Sequence, residues 1–114
     1  MPDSLSELVR EKWSSLLAAG FAITSEDHGI VGLASSTVQI VAAHDPRGEV
    51  DVQVFPRDAE RHEGWSYTGM VGTASVGRLL EIALAKMRAD PAILGGDAAF
   101  YARLAQATRA SSHE

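Results

Sequence analysis

The strongest constraint on the fold is a pair of strand-like runs, T-V-Q-I-V-A-A-H and E-V-D-V-Q-V-F, on either side of Asp45-Pro46-Arg47-Gly48. In the second run Val50, Val52 and Val54 alternate with Glu49, Asp51 and Gln53, the period of a strand with one dry and one wet face. The first run alternates less cleanly, with Val38, Ile40 and Ala42 in one set and Thr37, Gln39, Val41 and Ala43 in the other, so both of its faces are expected to be partly covered. The turn decides how the sets meet. Read as a three-residue loop, with Pro46 setting φ for a type I turn and Gly48 left-handed, it pairs Asp45 with Glu49. Ile40 then opposes Val54 and Ala42 opposes Val52. A two-residue loop would instead oppose Val41 to Val52, and a slip of one residue sends every side chain to the other face. The turn residues favour the three-residue loop, hence an antiparallel hairpin with an aliphatic inner face and an outer face carrying Gln39, Asp51, Gln53 and Phe55.

Before this hairpin the chain opens with a helix. Ser4 and Glu7 form a capping box, Leu5, Leu8, Val9, Trp13, Leu16 and Leu17 recur at helical spacing, and Gly20 supplies the stop. The expected span is about residues 5–19, with Trp13 in the core. Phe21 to Thr24 and Ile30 to Ala34 read as a first hairpin turning at Gly29, and Gly32 fits a bulge in its second strand. The result is a four-stranded antiparallel meander.

After it, Pro56 to Gly64 is polar and aperiodic, a long exposed loop. Trp65 and Tyr67 follow at i, i+2, on one side of an extended segment that is either a short fifth strand or part of a crossover. Ser75 caps a second helix expected over 76–89, with Val76, Leu79, Leu80, Ala83, Leu84 and Met87 as its stripe. Asp90-Pro91 opens a short helical turn, and Asp97 caps a third helix over about 98–108. Residues 110–114 read as a frayed tail. The fold class is α+β: one domain over 1–114, an N-terminal helix, the meander, and two C-terminal helices packed on one sheet face as a two-layer sandwich.

Composition narrows the function classes. A chain of 114 residues makes one domain and buries about two-thirds of its surface on folding. With no cysteine, thiolate metal sites, cysteine nucleophiles and disulfides are excluded. The N-terminus lacks the pattern of a secretion signal and no apolar run approaches about 20 residues, so a cytoplasmic protein without membrane association is expected. The net charge of −5 is concentrated: Glu26, Asp27, Asp45, Glu49, Asp51, Asp58, Glu60 and Glu63 face only Arg47, Arg57 and Arg61 over residues 26–63. Such a sheet region argues against nucleic acid, whose phosphates need basic side chains, and suits a basic protein partner.

The residues offer little for catalysis. Each histidine has an acidic neighbour (Asp27-His28, His44-Asp45, His62-Glu63, His113-Glu114), but adjacent strand residues point to opposite faces, so the dipeptide is not a catalytic pair. His44, Asp45 and Glu49 read as a solvated turn. A metal site from His28, His44 and His62 would need three loops to converge, so no metal or cofactor is expected. Glycines and hydroxyls over 69–75 lack the Walker lysine.

The run S-S-T-V-Q-I-V-A-A-H-D-P-R-G-E-V-D-V-Q-V, followed by D-P-A-I-L-G-G-D-A-A-F-Y-A-R-L, resembles small actinobacterial α+β proteins of unknown function, some of them similar to immunity proteins of bacterial toxin systems. That resemblance covers Ser35 to Val54 and Asp90 to Leu104, and it implies a binding protein with no catalytic residues to carry over. The favoured reading is therefore a non-catalytic protein-binding module, an immunity-type inhibitor of a basic partner, using Glu49, Asp51, Gln53, Phe55, Arg57, Trp65 and Tyr67. The alternatives are a small enzyme or small-ligand binder with its pocket between helices and sheet near Gly69 to Ser75, and a self-associating structural domain.

Overall fold

In the computed structural model, which describes residues 4–27, 29–59, 64–72 and 75–112, the chain forms an α+β fold around one antiparallel sheet. The elements are α1 (Leu5–Lys12), α2 (Ser14–Ala18), β1 (Ala22–Asp27), β2 (Ile30–Ala34), β3 (Val38–His44), β4 (Glu49–Pro56), β5 (Trp65–Met70), α3 (Val76–Ala89), α4 (Pro91–Gly95) and α5 (Ala98–Ser112).

Local chemistry accounts for most boundaries. The Ser4 hydroxyl accepts from the Glu7 N–H at 3.1 Å, one half of the expected box. The first helix is not continuous over 5–19. Its backbone leaves helical geometry at Trp13 (φ −111°, ψ 23°), where the buried indole turns in and donates to the Leu80 carbonyl of α3 at 2.9 Å. α2 ends in a Schellman arrangement, Phe21 N–H to Leu16 C=O at 3.1 Å, with Gly20 at φ 111°. Ser75 caps α3 through the Arg78 N–H (3.1 Å), Asp90 caps α4 through Ala92 (3.0 Å) and Asp97 caps α5 through Phe100 (2.8 Å). α5 runs to Ser112, past the expected end near Thr108; residues 113–114 of the expected tail lie outside the described residues.

Among the described residues the sheet has five strands in the order β1-β2-β3-β4-β5, which corrects the four expected. The fifth is Trp65–Met70, whose backbone finds its partners on β4, with Val54 opposite Trp65 and Val50 opposite Gly69. The central hairpin adopts the three-residue loop: the Asp45 N–H donates to the Glu49 carbonyl at 2.8 Å, Gly48 has φ 95°, and Ile40 and Ala42 oppose Val54 and Val52. The bulge falls on β1, opposite Gly32. Register shifts between Ile23 and Ser25, and a Cβ on Gly32 would lie 2.6 Å from the Ser25 hydroxyl and 3.1 Å from that of Thr24.

One face of the sheet makes the core. Val31, Leu33, Val38, Ile40, Ala42, Val50, Val52 and Val54 are fully buried with Val9, Trp13, Leu80, Ala83 and Met87 of the helices. α1 packs on α3 and β2, α3 on β4 and β5, and α4 on β4. α1 and α3 approach closely at Gly77, where a Cβ would sit 3.1 Å from Lys12 Cε, and the same crossing carries the Lys12–Glu81 ion pair at 2.9 Å. Each partner stabilises the other's charge: Glu81 raises the Lys12 pKa, and Lys12, then Arg78, hold the Glu81 carboxyl down. Among the described residues no helix is long and apolar enough to cross a membrane.

Candidate functional site

Among the described residues the helices cover one face of the sheet and leave the other without a helical layer. Register sets its side chains in transverse rows: Asp27, Ile30, Ala43, Asp51 and Thr68 in one, and Ser25, Gly32, Val41, Gln53 and Ser66 in the next. Toward one end follow Glu49 and Met70, and toward the other Ala34, Gln39 and Phe55. The centre is built of small or β-branched residues and lies low. Ile30 (44% exposed) and Met70 (47%) stand out from it as apolar contacts.

The seven residues expected to form the site do not all meet here. Glu49, Asp51 and Gln53 do, with Asp51 accepting from the Thr68 hydroxyl at 3.1 Å. Phe55 shares their face but is buried to 6% exposure, with Gly64 against it, so its ring is not open to a partner as its outward position in the alternation suggests. Arg57 acts as a clamp at the end of the sheet. Its N–H donates to the Thr37 carbonyl (3.1 Å), its guanidinium to the Ser35 carbonyl (3.0 Å), and its own carbonyl accepts from the Gln39 amide (3.2 Å). Trp65 and Tyr67 oppose Val54 and Val52, so they belong to the core face. Lys86 of α3 lies over the Tyr67 ring at 5.7 Å from its centroid, and both aromatics are partly buried against the core. Ile30 escaped the sequence reading because I-V-G-L-A is apolar at every position, so period 2 does not say which set faces out. Met70, which as a methionine reads as core filler, is instead exposed, because its register opposite Glu49 puts it on the outer face.

The acidic groups also differ in availability. Glu26 pairs with Arg10 at 2.8 Å and accepts from the Ser6 hydroxyl. Asp45 accepts from both the side chain and the N–H of Arg47, which hold its carboxyl below the usual range, so the His44-Asp45 turn is shaped by an arginine. His28 and His62, two of the three histidines of the conceivable metal set, lie outside the described residues.

Two cavities bear on the small-ligand alternative. One of about 420 Å³ touches Ser75, Gly77, Lys12 and Glu81. Gly69 does not open a pocket: a Cβ there would lie 2.7 Å from Leu79 Cδ2, which marks a close helix–strand contact, while Thr73 and Ala74 lie outside the described residues. A larger cavity, about 750 Å³, lies elsewhere, between Thr37, Pro56 and Arg57 on the sheet side and Gly96, Tyr101 and Ala102 on the helix side. Its most chemically able group is occupied, since the Tyr101 hydroxyl donates to the Ile93 carbonyl at 2.6 Å. Burial pushes the phenol pKa up, so stability should fall as pH rises above about 10, where the unfolded chain ionises first. Tyr101→Phe is expected to cost about 1–3 kcal/mol in urea unfolding, because it leaves a buried carbonyl without its donor. A neutral substitution would show that hydrogen bond to be idle.

No family model matches the chain, and neither a curated protein nor a solved structure is detectably similar to it.

Proposed function

We propose that the protein is a non-catalytic binding module that docks a basic protein on the open face of its sheet, as an immunity-type inhibitor would. The observation carrying this reading is the row Asp27, Ile30, Ala43, Asp51, in which exposed apolar surface is bracketed by carboxylates. Apolar centres with charged rims are the usual anatomy of a docking surface, and a net charge of −5 favours encounter with a cation. Five strands about 4.8 Å apart and about six residues at about 3.3 Å span roughly 24 by 20 Å. That is short of the roughly 800 Å² each partner of a standard complex contributes, so the contact extends to rim residues such as Glu49. Small-ligand binding in the larger cavity is the weaker reading, because Arg57 and Tyr101 already donate to main-chain carbonyls.

The test is a charge reversal. Glu49→Lys with Asp51→Lys is expected to weaken a basic partner captured from the source cell at least about tenfold and to flatten the salt dependence of binding. The melting temperature should be nearly unchanged, since neither side chain is in the core. Undiminished affinity in the folded double variant would refute docking on this face.

A further inference from the structure

Among the described residues the sheet ends at β1 and β5, and its two edges are built differently. β1 shifts register between Ile23 and Ser25 and finishes on Glu26 and Asp27, with Glu26 held by Arg10. Bulges and charges are the devices that stop an edge strand from accepting another. β5, W-S-Y-T-G-M, has neither charge nor proline and pairs with β4 over six consecutive residues without a shift. Its backbone direction follows from one bond. The Val71 N–H donates to the Gly48 carbonyl at 2.7 Å, and peptide groups alternate along an antiparallel ladder, so Trp65, Tyr67 and Gly69 bond toward β4. Ser66 and Thr68 therefore present their N–H and C=O groups to the outer edge.

We propose that β5 pairs antiparallel with β5 of a second copy about a two-fold axis at Thr68, joining two five-stranded sheets into one. Self-pairing suits this strand because an uncharged edge brings no like charges face to face. The nearest outer-face acid, Asp51, sits one strand in, about 14 Å from its counterpart across three strand spacings. That exceeds the screening length of about 8 Å at physiological salt. The register is set by Lys86. An axis at Tyr67 would oppose the two Tyr67 rings, with Cβ atoms about 5 Å apart, and bring together the ammonium groups lying over them. Moving the axis to Thr68 offsets those rings by two residues, about 7 Å. Tyr67 then lies across from Gly69 of the second copy instead of from its own counterpart, and the two Thr68 side chains meet on the outer face.

Because the chain has no cysteine, the axis can be probed directly. Residues opposed in a hydrogen-bonded antiparallel pair have Cα atoms about 5.5 Å apart, inside the disulfide range of roughly 4.4–6.8 Å. Thr68→Cys is expected to oxidise to a covalent dimer, whereas Ser66→Cys, with its own counterpart about 13 Å away along the strand, should not. A mixture of Ser66→Cys and Met70→Cys should cross-link, since those positions oppose each other. Sedimentation equilibrium of the unmodified chain should give a dimer in the micromolar range, Thr68→Lys a folded monomer, and the Glu49→Lys/Asp51→Lys variant still a dimer. The last result separates this interface from the docking face. A monomeric wild type, including one that takes up a strand only from another protein, would overturn the proposal, as would a dimer that survives Thr68→Lys or Ser66→Cys linking as readily as Thr68→Cys.

Discussion

Trp13→Ala is expected to destabilise the protein by about 3–5 kcal/mol, the range for removing a buried aromatic side chain from a core. Trp13 is fully buried at the junction of α1 and α2, and its indole N–H donates to the Leu80 carbonyl on α3 at 2.9 Å. The ring thus ties the N-terminal helices to the helix that spans β4 and β5, and alanine would leave a void where helices and sheet meet. Small domains are stable by only about 5–15 kcal/mol, so the variant should unfold at much lower urea with an unchanged slope. Trp13→Phe separates the two contributions. It keeps most of the packing and loses the hydrogen bond, and should recover more than half of the loss. A cost below about 1 kcal/mol for alanine would mean the ring is not a packed anchor.

Ile40→Ala should cost about 2–5 kcal/mol. Ile40 lies fully buried on the middle strand, opposite Leu33 on β2 and Val54 on β4, so the void would open between three strands and the helices above them. Its neighbour Val41 points to the outer face, opposite Gln53, where it is only half-buried, and Val41→Ala should cost clearly less, about 1 kcal/mol. The pair is informative because a slip of one residue exchanges their environments. Equal losses, or a larger one at Val41, would contradict the register.

Much of the fold was legible in the sequence, for an identifiable reason. The caps at Ser4, Ser75, Asp90 and Asp97 and the turn Asp45-Pro46-Arg47-Gly48 each depend on a few adjacent residues whose side chains bond to their own backbone. Their effect is complete before any distant part of the chain arrives. The hairpin register followed from that turn, and with it the faces on which Ile40, Asp51 and Gln53 lie.

The candidate site was only half legible. That Glu49, Asp51 and Gln53 share a face was written in their alternation, but three other features were decided by partners far along the chain. W-S-Y-T-G-M became a strand because β4 had an edge to offer, and the register of that pairing sent Trp65 and Tyr67 to the core side, away from the acids. Arg57 reads as a free cation in the sequence, yet it closes the sheet end against Ser35 and Thr37, about twenty residues upstream. Phe55 sits at an outward position and is nonetheless buried, with Gly64 against it. Period and turn chemistry determined which residues form elements and how neighbouring strands meet. Which face an edge aromatic takes, and whether a charge is free or engaged, was settled by tertiary structure, because each depends on contacts between segments whose spacing along the chain carries no local signal.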